Sequence, residues 1–179
     1  RRFIRRTAYT ASPMSAKAPV DPIRKYLETA RHQISVGNLT GAAQTLNDAR
    51  RRAPRDARLF MLAALMAEKS GNLNGAYDAM QRCVTLAPDW APGLLEQALL
   101  FARHNRDAEA VATAERVIAL EPNNARVIGN VVDIAHRVGN VDMAIRHLEN
   151  ALKLVPSDRV LRRYLAVDLG SIHKWDEAL

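Results

Sequence analysis

The stretch GNLNGAYDAMQRCVTLAP, residues 71–88, holds a helix stop, a helical run and a second stop. Gly71 can adopt the left-handed conformation that closes a helix without a Cβ penalty. Asn74, three residues on, offers a side chain to cap the N-terminus of a following helix. Ala76 falls in the first turn of that helix, where a small side chain lets two helices approach closely. Pro88 ends it, because proline lacks the N–H and clashes with the preceding turn.

The same marks recur 34 residues away in both directions. Prolines stand at Pro54, Pro88, Pro122 and Pro156, and alanines at Ala42, Ala76, Ala110, Ala144 and Ala178. A third ladder runs Gly37, Gly71, Asn105, Gly139 and His173. With proline near 5% of residues, three further prolines on one spacing arise by chance about once in ten thousand. Caps are expected at Thr40, Asn74, Asp142 and Asp176, with Ala108 breaking the pattern, and after the prolines at Asp56, Asp89, Asn123, Asn124, Ser157 and Asp158. Asp21-Pro22 reads as the first helix start. Within the pattern the apolar positions keep a helical period, as in Leu59, Leu62, Ala63, Leu65 and Met66, or Val127, Ile128, Val131, Val132 and Ala135.

The expected unit is helix, tight turn, helix, tight turn. Full units are placed at 23–56, 57–90, 91–124 and 125–158, with a partial one at 159–179, so that 22–179 forms one array and 1–21 a basic N-terminal arm. The arm holds Arg1, Arg2, Arg5, Arg6 and Lys17, and residues 1–20 lack acids. It reads as a loosely packed arm, with 1–13 as added sequence before Met14; alternatively, Phe3 and Ile4 cap the open first hairpin. Because the repeat breaks off at Leu179, the chain is expected to be part of something longer.

The turns Gly37-Asn38-Leu39, Gly71-Asn72-Leu73 and Gly139-Asn140-Val141, the alanine ladder and the terminal prolines resemble tetratricopeptide repeats over residues 22–179. The family's aromatic near the start of each first helix is represented by Tyr26, Phe60, Leu94, Ile128 and Arg162, and its small residue in the first helix becomes Val132 in the fourth unit. The resemblance implies an all-α fold, a right-handed superhelical solenoid of antiparallel helix pairs, with first helices lining a concave face. It also implies a scaffold that binds a protein or peptide in that groove.

Projecting the family's inward-facing offsets gives Leu27 and Arg31, then Arg58, Met61, Leu62, Leu65 and Lys69, then Leu95, Leu99 and Arg103, then Arg126, Asn130, Asp133, His136 and Arg137, and finally Arg163. This is an apolar floor flanked by arginines, suited to an acidic peptide with apolar anchors. Some of these leucines can equally belong to the core between helices. The clamp that some members use for chaperone C-termini is not expected, since Leu27, Arg31, Leu62, Pro92 and Glu96 stand at its places. The asparagine ladder of members fused to sugar-transferring enzymes is represented by Asn130 alone. A second reading makes the chain the N-terminal repeat region of a larger bacterial, transferase-like enzyme. A third has it self-associate through its C-terminal end, where Leu161, Leu165, Leu169 and Ile172 are left exposed.

Chemistry of its own is not expected. Cys83 is the single cysteine, which rules out an intramolecular disulfide and a cysteine metal cage and suits a cytoplasmic, reducing setting. Cys83 itself reads as a buried, inert thiol. The histidines His32, His104, His136, His147 and His173 have no i,i+4 pair for a metal and read as solvated or turn residues, with His136 nearest the groove. No phosphate-cradling glycine loop, nucleophile elbow or cofactor motif is present. The net charge of +7 invites a nucleic-acid partner, but residues 1–22 hold five basic groups against one acid, which leaves only +3 for the rest. No apolar run approaches the roughly 18 residues needed to span a bilayer. The densest internal run, Arg50-Arg51-Arg52 with Arg55 and Arg58, is either a helix end complementing its dipole or an edge for an acidic ligand.

Overall fold

The computed structural model describes residues 21–172. Among them nine helices run in order: α1 (Arg24–Ser35), α2 (Leu39–Arg52), α3 (Ala57–Lys69), α4 (Leu73–Leu86), α5 (Ala91–Arg103), α6 (Asp107–Leu120), α7 (Ala125–Arg137), α8 (Val141–Leu154) and α9 (Arg159–Ser171). Residues 1–20 of the arm, with Phe3, Ile4 and Met14, lie outside the described residues, as do His173, Asp176, Ala178 and Leu179.

Odd and even helices pair as antiparallel hairpins, and each hairpin stacks on the next. The architecture is an all-α repeat solenoid. Ala42, Ala76, Ala110 and Ala144 are all fully buried, so the alanine ladder marks the close contacts of each second helix. Each second helix stops two residues before its proline, at Arg52, Leu86, Leu120 and Leu154. Proline disfavours the helical conformation in the residue before it, so the chain leaves the helix one step early.

The tight turns use the third ladder. Gly37, Gly71 and Gly139 have φ of 81°, 80° and 69°, and Asn105 has φ of 59°. The turn closes with reversed backbone bonds, as in Gly71 N–H donating to Glu68 O and Asn72 N–H to Ala67 O, both at 2.9 Å. The caps fall two residues earlier than expected. Asn38, Asn72 and Asn140, not Thr40, Asn74 and Asp142, accept from the backbone N–H of Gly41, Gly75 and Met143 at 2.9–3.0 Å. The left-handed residue reverses the chain at once, so the next helix starts immediately after it.

The third hairpin departs from this scheme. Arg106 stands where the others have asparagine and makes no side-chain cap. Its guanidinium instead lies 4.7 Å from the Tyr77 ring and 4.6 Å from the Phe101 ring, and it pairs with Glu109. Asp107 and Glu109 supply negative charge to the first turn of α6, which offsets part of the missing cap. Between hairpins, Asp56, Asn124 and Asp158 cap as expected, whereas α5 starts from Trp90 without a side-chain cap and with proline in its first turn. Asp21 accepts from Ile23 N–H at 3.2 Å, but α1 begins at Arg24 with Ile23 as its N-cap and no side-chain cap, so Asp21-Pro22 precedes the helix rather than starting it.

Two buried clusters form the core. One gathers Leu46, Leu59, Met61, Leu62 and Met80 from α2 to α4 with Leu100 of α5; the other gathers Leu94, Ile128, Val131, Met143 and Leu148 from α5, α7 and α8 with Val84 of α4. Leu100 and Val84 cross over, so the stack is continuous. First helices of successive hairpins approach one another at α1/α3, α3/α5 and α5/α7. At the next step they do not: no Cα of α7 comes within 8 Å of one in α9, and α9 rests on α8.

Candidate functional site

The first-helix face is built from α1, α3, α5, α7 and α9, and its character changes along the array. In the first half Arg58, Lys69 and Arg103 are engaged within the scaffold. Arg58, next to the N-terminus of α3, pairs with both Asp21 and Asp56, with Nη2 2.7 Å from Asp56 Oδ2 and 3.2 Å from Asp21 Oδ1. Hydrogen bonds from Arg58 hold the Asp21 and Asp56 carboxyls below the usual carboxylate range, and the two acids push the guanidinium still further up. Arg103 forms a two-pronged pair with Glu68 at 2.7 and 2.8 Å, and His104 Nε2 lies 2.9 Å from the same carboxylate. Burial raises the Glu68 carboxyl, but the bonds from Arg103 and His104 outweigh it and leave it below its ordinary value. Lys69 Nζ donates to the carbonyls of Ile34 and Ser35 at 2.7 and 2.8 Å and so completes the C-terminus of α1.

Two expected groove residues belong to the core instead. Met61 is 5% exposed and Leu62 1%, both inside the first cluster, because α3 is packed by α1, α2, α4 and α5 at once. Leu27 and Leu65 are half-buried against that cluster, and Leu95 and Leu99 against the second. Arg31 is exposed on α1. Glu96 is half-buried, and burial raises its carboxyl despite Arg103 and Arg31 nearby.

In the second half the face opens into two clefts on either side of α7. The cleft toward α5, about 260 Å³, is lined by Ala91, Pro92, Leu95, Glu121, Asn124, Arg126, Val127 and Asn130. The cleft toward α9, about 280 Å³, is lined by Arg126, Gly129, Asn130, Val132, Asp133, His136, Leu148, Leu161 and Tyr164. Arg126 and Asn130 border both. Arg126 makes no salt bridge among the described residues; its neighbour Glu121 accepts instead from Asn124 Nδ2 at 2.6 Å. His136 Nε2 lies 2.8 and 3.0 Å from the carboxylate oxygens of Asp168, a buried residue of α9, and the Tyr164 ring lies 6.4 Å from the imidazole. That bridge spans the gap between α7 and α9.

The structure thus brings together Leu95, Arg126, Asn130, Asp133 and His136. Arg137 is exposed at the last residue of α7. Arg163 stands apart, in a shallow depression with Ala166, Val167, Gly170 and Ser171. The face of α9 also differs from expectation. Leu169 is 2% exposed and Leu161, Leu165 and Ile172 are half-buried, while Val160, Tyr164 and Val167 are the exposed apolar residues, because α9 turns its leucines toward α8. Sequence projection passed over Gly129, Tyr164 and Asp168. Gly129 was findable: at the 34-residue spacing it follows Leu27, Met61 and Leu95.

Cys83 is fully buried, and burial pushes its thiol up to about 11, far from a nucleophilic thiolate at neutral pH. His147, expected in solvent or a turn, is 4% exposed in α8 and lies 3.3 Å from Glu115 of α6. His104 likewise is half-buried against Glu68. Among the described residues no cluster of three or more His, Cys, Asp or Glu is placed to hold a metal, and no helix is long and apolar enough to cross a membrane. The Arg50–Arg52 run ends α2, with Arg50 donating to Asn47 at 2.7 Å and Arg52 lying 5.3 Å from the Tyr26 ring.

Residues 27–89 match the family model of the tetratricopeptide repeat. Among solved structures the fold is similar to pilF of Pseudomonas aeruginosa, with a TM-score of 0.70 at 17% identity, covering 87% of this chain and 71% of that one. It is similar also to MamA, with a TM-score of 0.65 at 17% identity over 87% of this chain and 85% of that one. A MamA double mutant from RS-1 gives a TM-score of 0.66 at 15% identity, with 90% of each chain covered.

Proposed function

We propose that this chain, whose residues 27–89 match the tetratricopeptide-repeat model, is a scaffold that holds a peptide segment of a partner protein across its first-helix face, centred on α7. The observation that carries this reading is the pair of clefts that share Arg126 and Asn130. A segment laid over α7 can fill both clefts at once. Arg126 meets a carboxylate of the segment, Asn130 can donate to and accept from its backbone, and Leu95 supplies apolar contact. Exposed Arg137 and Arg163 extend the positive character toward the ends of the segment. Arg58 and Arg103, engaged by acids of the scaffold itself, hold the array together rather than the partner. The free, buried thiol of Cys83 suits a cytoplasmic setting.

The test is selection of binders from a displayed random-peptide library by the whole chain, followed by affinity measurement on the recovered peptides. Arg126→Glu should weaken them by about tenfold or more, since it turns an attraction into a repulsion. Arg58→Glu should leave affinity near that of the parent. Peptides that bind the Arg126→Glu protein as well as the parent would sink the groove centred on α7.

A further inference from the structure

We propose, resting on that reading, that the cleft between α7 and α9 seats one aromatic side chain of the bound segment, and that Gly129 is the residue that makes room for it. Glycine inside a helix costs about 0.5–1 kcal/mol relative to alanine, a cost that close packing can require. For Gly41, Gly75 and Gly93 the demand is visible. A Cβ there would meet the Asn38, Asn72 or Trp90 side chain at 2.6–2.7 Å. At Gly129 a Cβ would meet nothing within 4 Å among the described residues. No neighbour among the described residues requires this glycine, and the space where its side chain would lie opens into the cleft. The equivalent places of the first three hairpins are filled by Leu27, Met61 and Leu95.

The second contribution to the space is the separation of α7 from α9, which the His136–Asp168 bridge holds. The floor is apolar, from Val132, Leu148 and Leu161, and one wall is the half-exposed ring of Tyr164. About 280 Å³ is room for a single ring rather than for a small molecule of ordinary size. Tyr164 can stack on that ring edge-to-face or offset. Charge sets the direction of the segment. Arg126 borders both clefts, whereas Asp133 borders only this one, so the carboxylate that meets Arg126 lies on the α5 side of the aromatic residue.

The same library-selected peptides test the inference. They should share one Phe, Tyr or Trp with an acidic residue to one side. Gly129→Leu, which restores the side chain present at Leu27 and Leu95, should weaken them about tenfold or more while circular dichroism and the thermal midpoint stay at or above parental values. Replacing the peptide's aromatic residue by alanine should cost as much on the parent, and the truncated peptide should bind the parent and the Gly129→Leu chain alike. Unchanged affinity in Gly129→Leu, or selected peptides without an aromatic residue, would overturn the anchor and leave the groove standing. Peptides indifferent to Arg126→Glu, or none recovered at all, would remove both.

Discussion

Helices α3 and α7 present the same places of the repeat two hairpins apart and use them in opposite ways. Arg58 and Arg126 are equivalent in the 34-residue register, and so are Met61 and Gly129. On α3 the cation is clamped by Asp21 and Asp56, and the apolar side chain is buried. On α7 the capping residue is Asn124, which engages Glu121, so the cation keeps an open side, and the apolar side chain is missing altogether. The difference teaches that a repeat position has no function of its own. Whether its side chain is engaged by the scaffold or left open depends on one or two neighbours, here an aspartate or an asparagine at the preceding cap.

The comparison can be tested from its strongest term down. Met61→Ala should destabilise the chain by about 3 kcal/mol, the usual range for emptying a packed site. Native-state hydrogen exchange should place most of that loss in α1–α4, since a solenoid is stabilised by nearest-neighbour contacts. A loss spread evenly to α8 would mean that the two halves fold as one unit. Next in size is Asn124→Asp, which gives α7 the carboxylate that α3 has at Asp56. It should keep the cap, draw Arg126 into the scaffold and lower the affinity of library-selected peptides about fivefold. Unchanged affinity would show that the cap does not govern Arg126.

Smaller again, and opposite in sign to Met61→Ala, is Gly129→Ala. It should raise stability by about 0.5–1 kcal/mol in a denaturant titration, because the helix gains propensity and nothing is displaced. A loss of stability would reveal a contact at Gly129 that the geometry lacks. The subtlest test uses pH. The Asp21 and Asp56 carboxyls are depressed in the folded chain, so their pairing with Arg58 contributes stability that is full above the ordinary value of 3.8 and fades as pH falls through the lower folded values. The stability gap between the parent and Arg58→Met should therefore narrow on acidification below about pH 4, whereas that for Arg126→Met should stay flat. Parallel behaviour of the two variants would erase the distinction between the cations.

Much of the scaffold was legible in the sequence. Helix stops depend on local backbone chemistry, so Gly71, Asn105 and Pro88 announce their roles without reference to the rest of the chain. Close contacts such as Ala76 and Ala110 repeat at one spacing because each hairpin meets its neighbour in the same way. The caps were read two residues late because the speed of the turn after a left-handed residue is a matter of backbone geometry, not composition. The candidate site was only partly legible. Its register pointed to Arg126, Asn130, Asp133 and His136, but gave Arg58 and Arg103 equal standing and placed Met61 in the groove.

The sequence by itself determined the period, the helix pairs and the absence of a second cysteine, because each follows from residue type and spacing alone. Tertiary structure decided which charges are spent inside the scaffold, since Arg58 meets Asp21 and Arg103 meets Glu68 only once successive hairpins stack. It also decided where the face opens. The cleft beside Gly129 depends on α9 leaning toward α8 and on His136 reaching Asp168 across more than thirty residues, and a spacing rule along one chain carries no information about the tilt between helices.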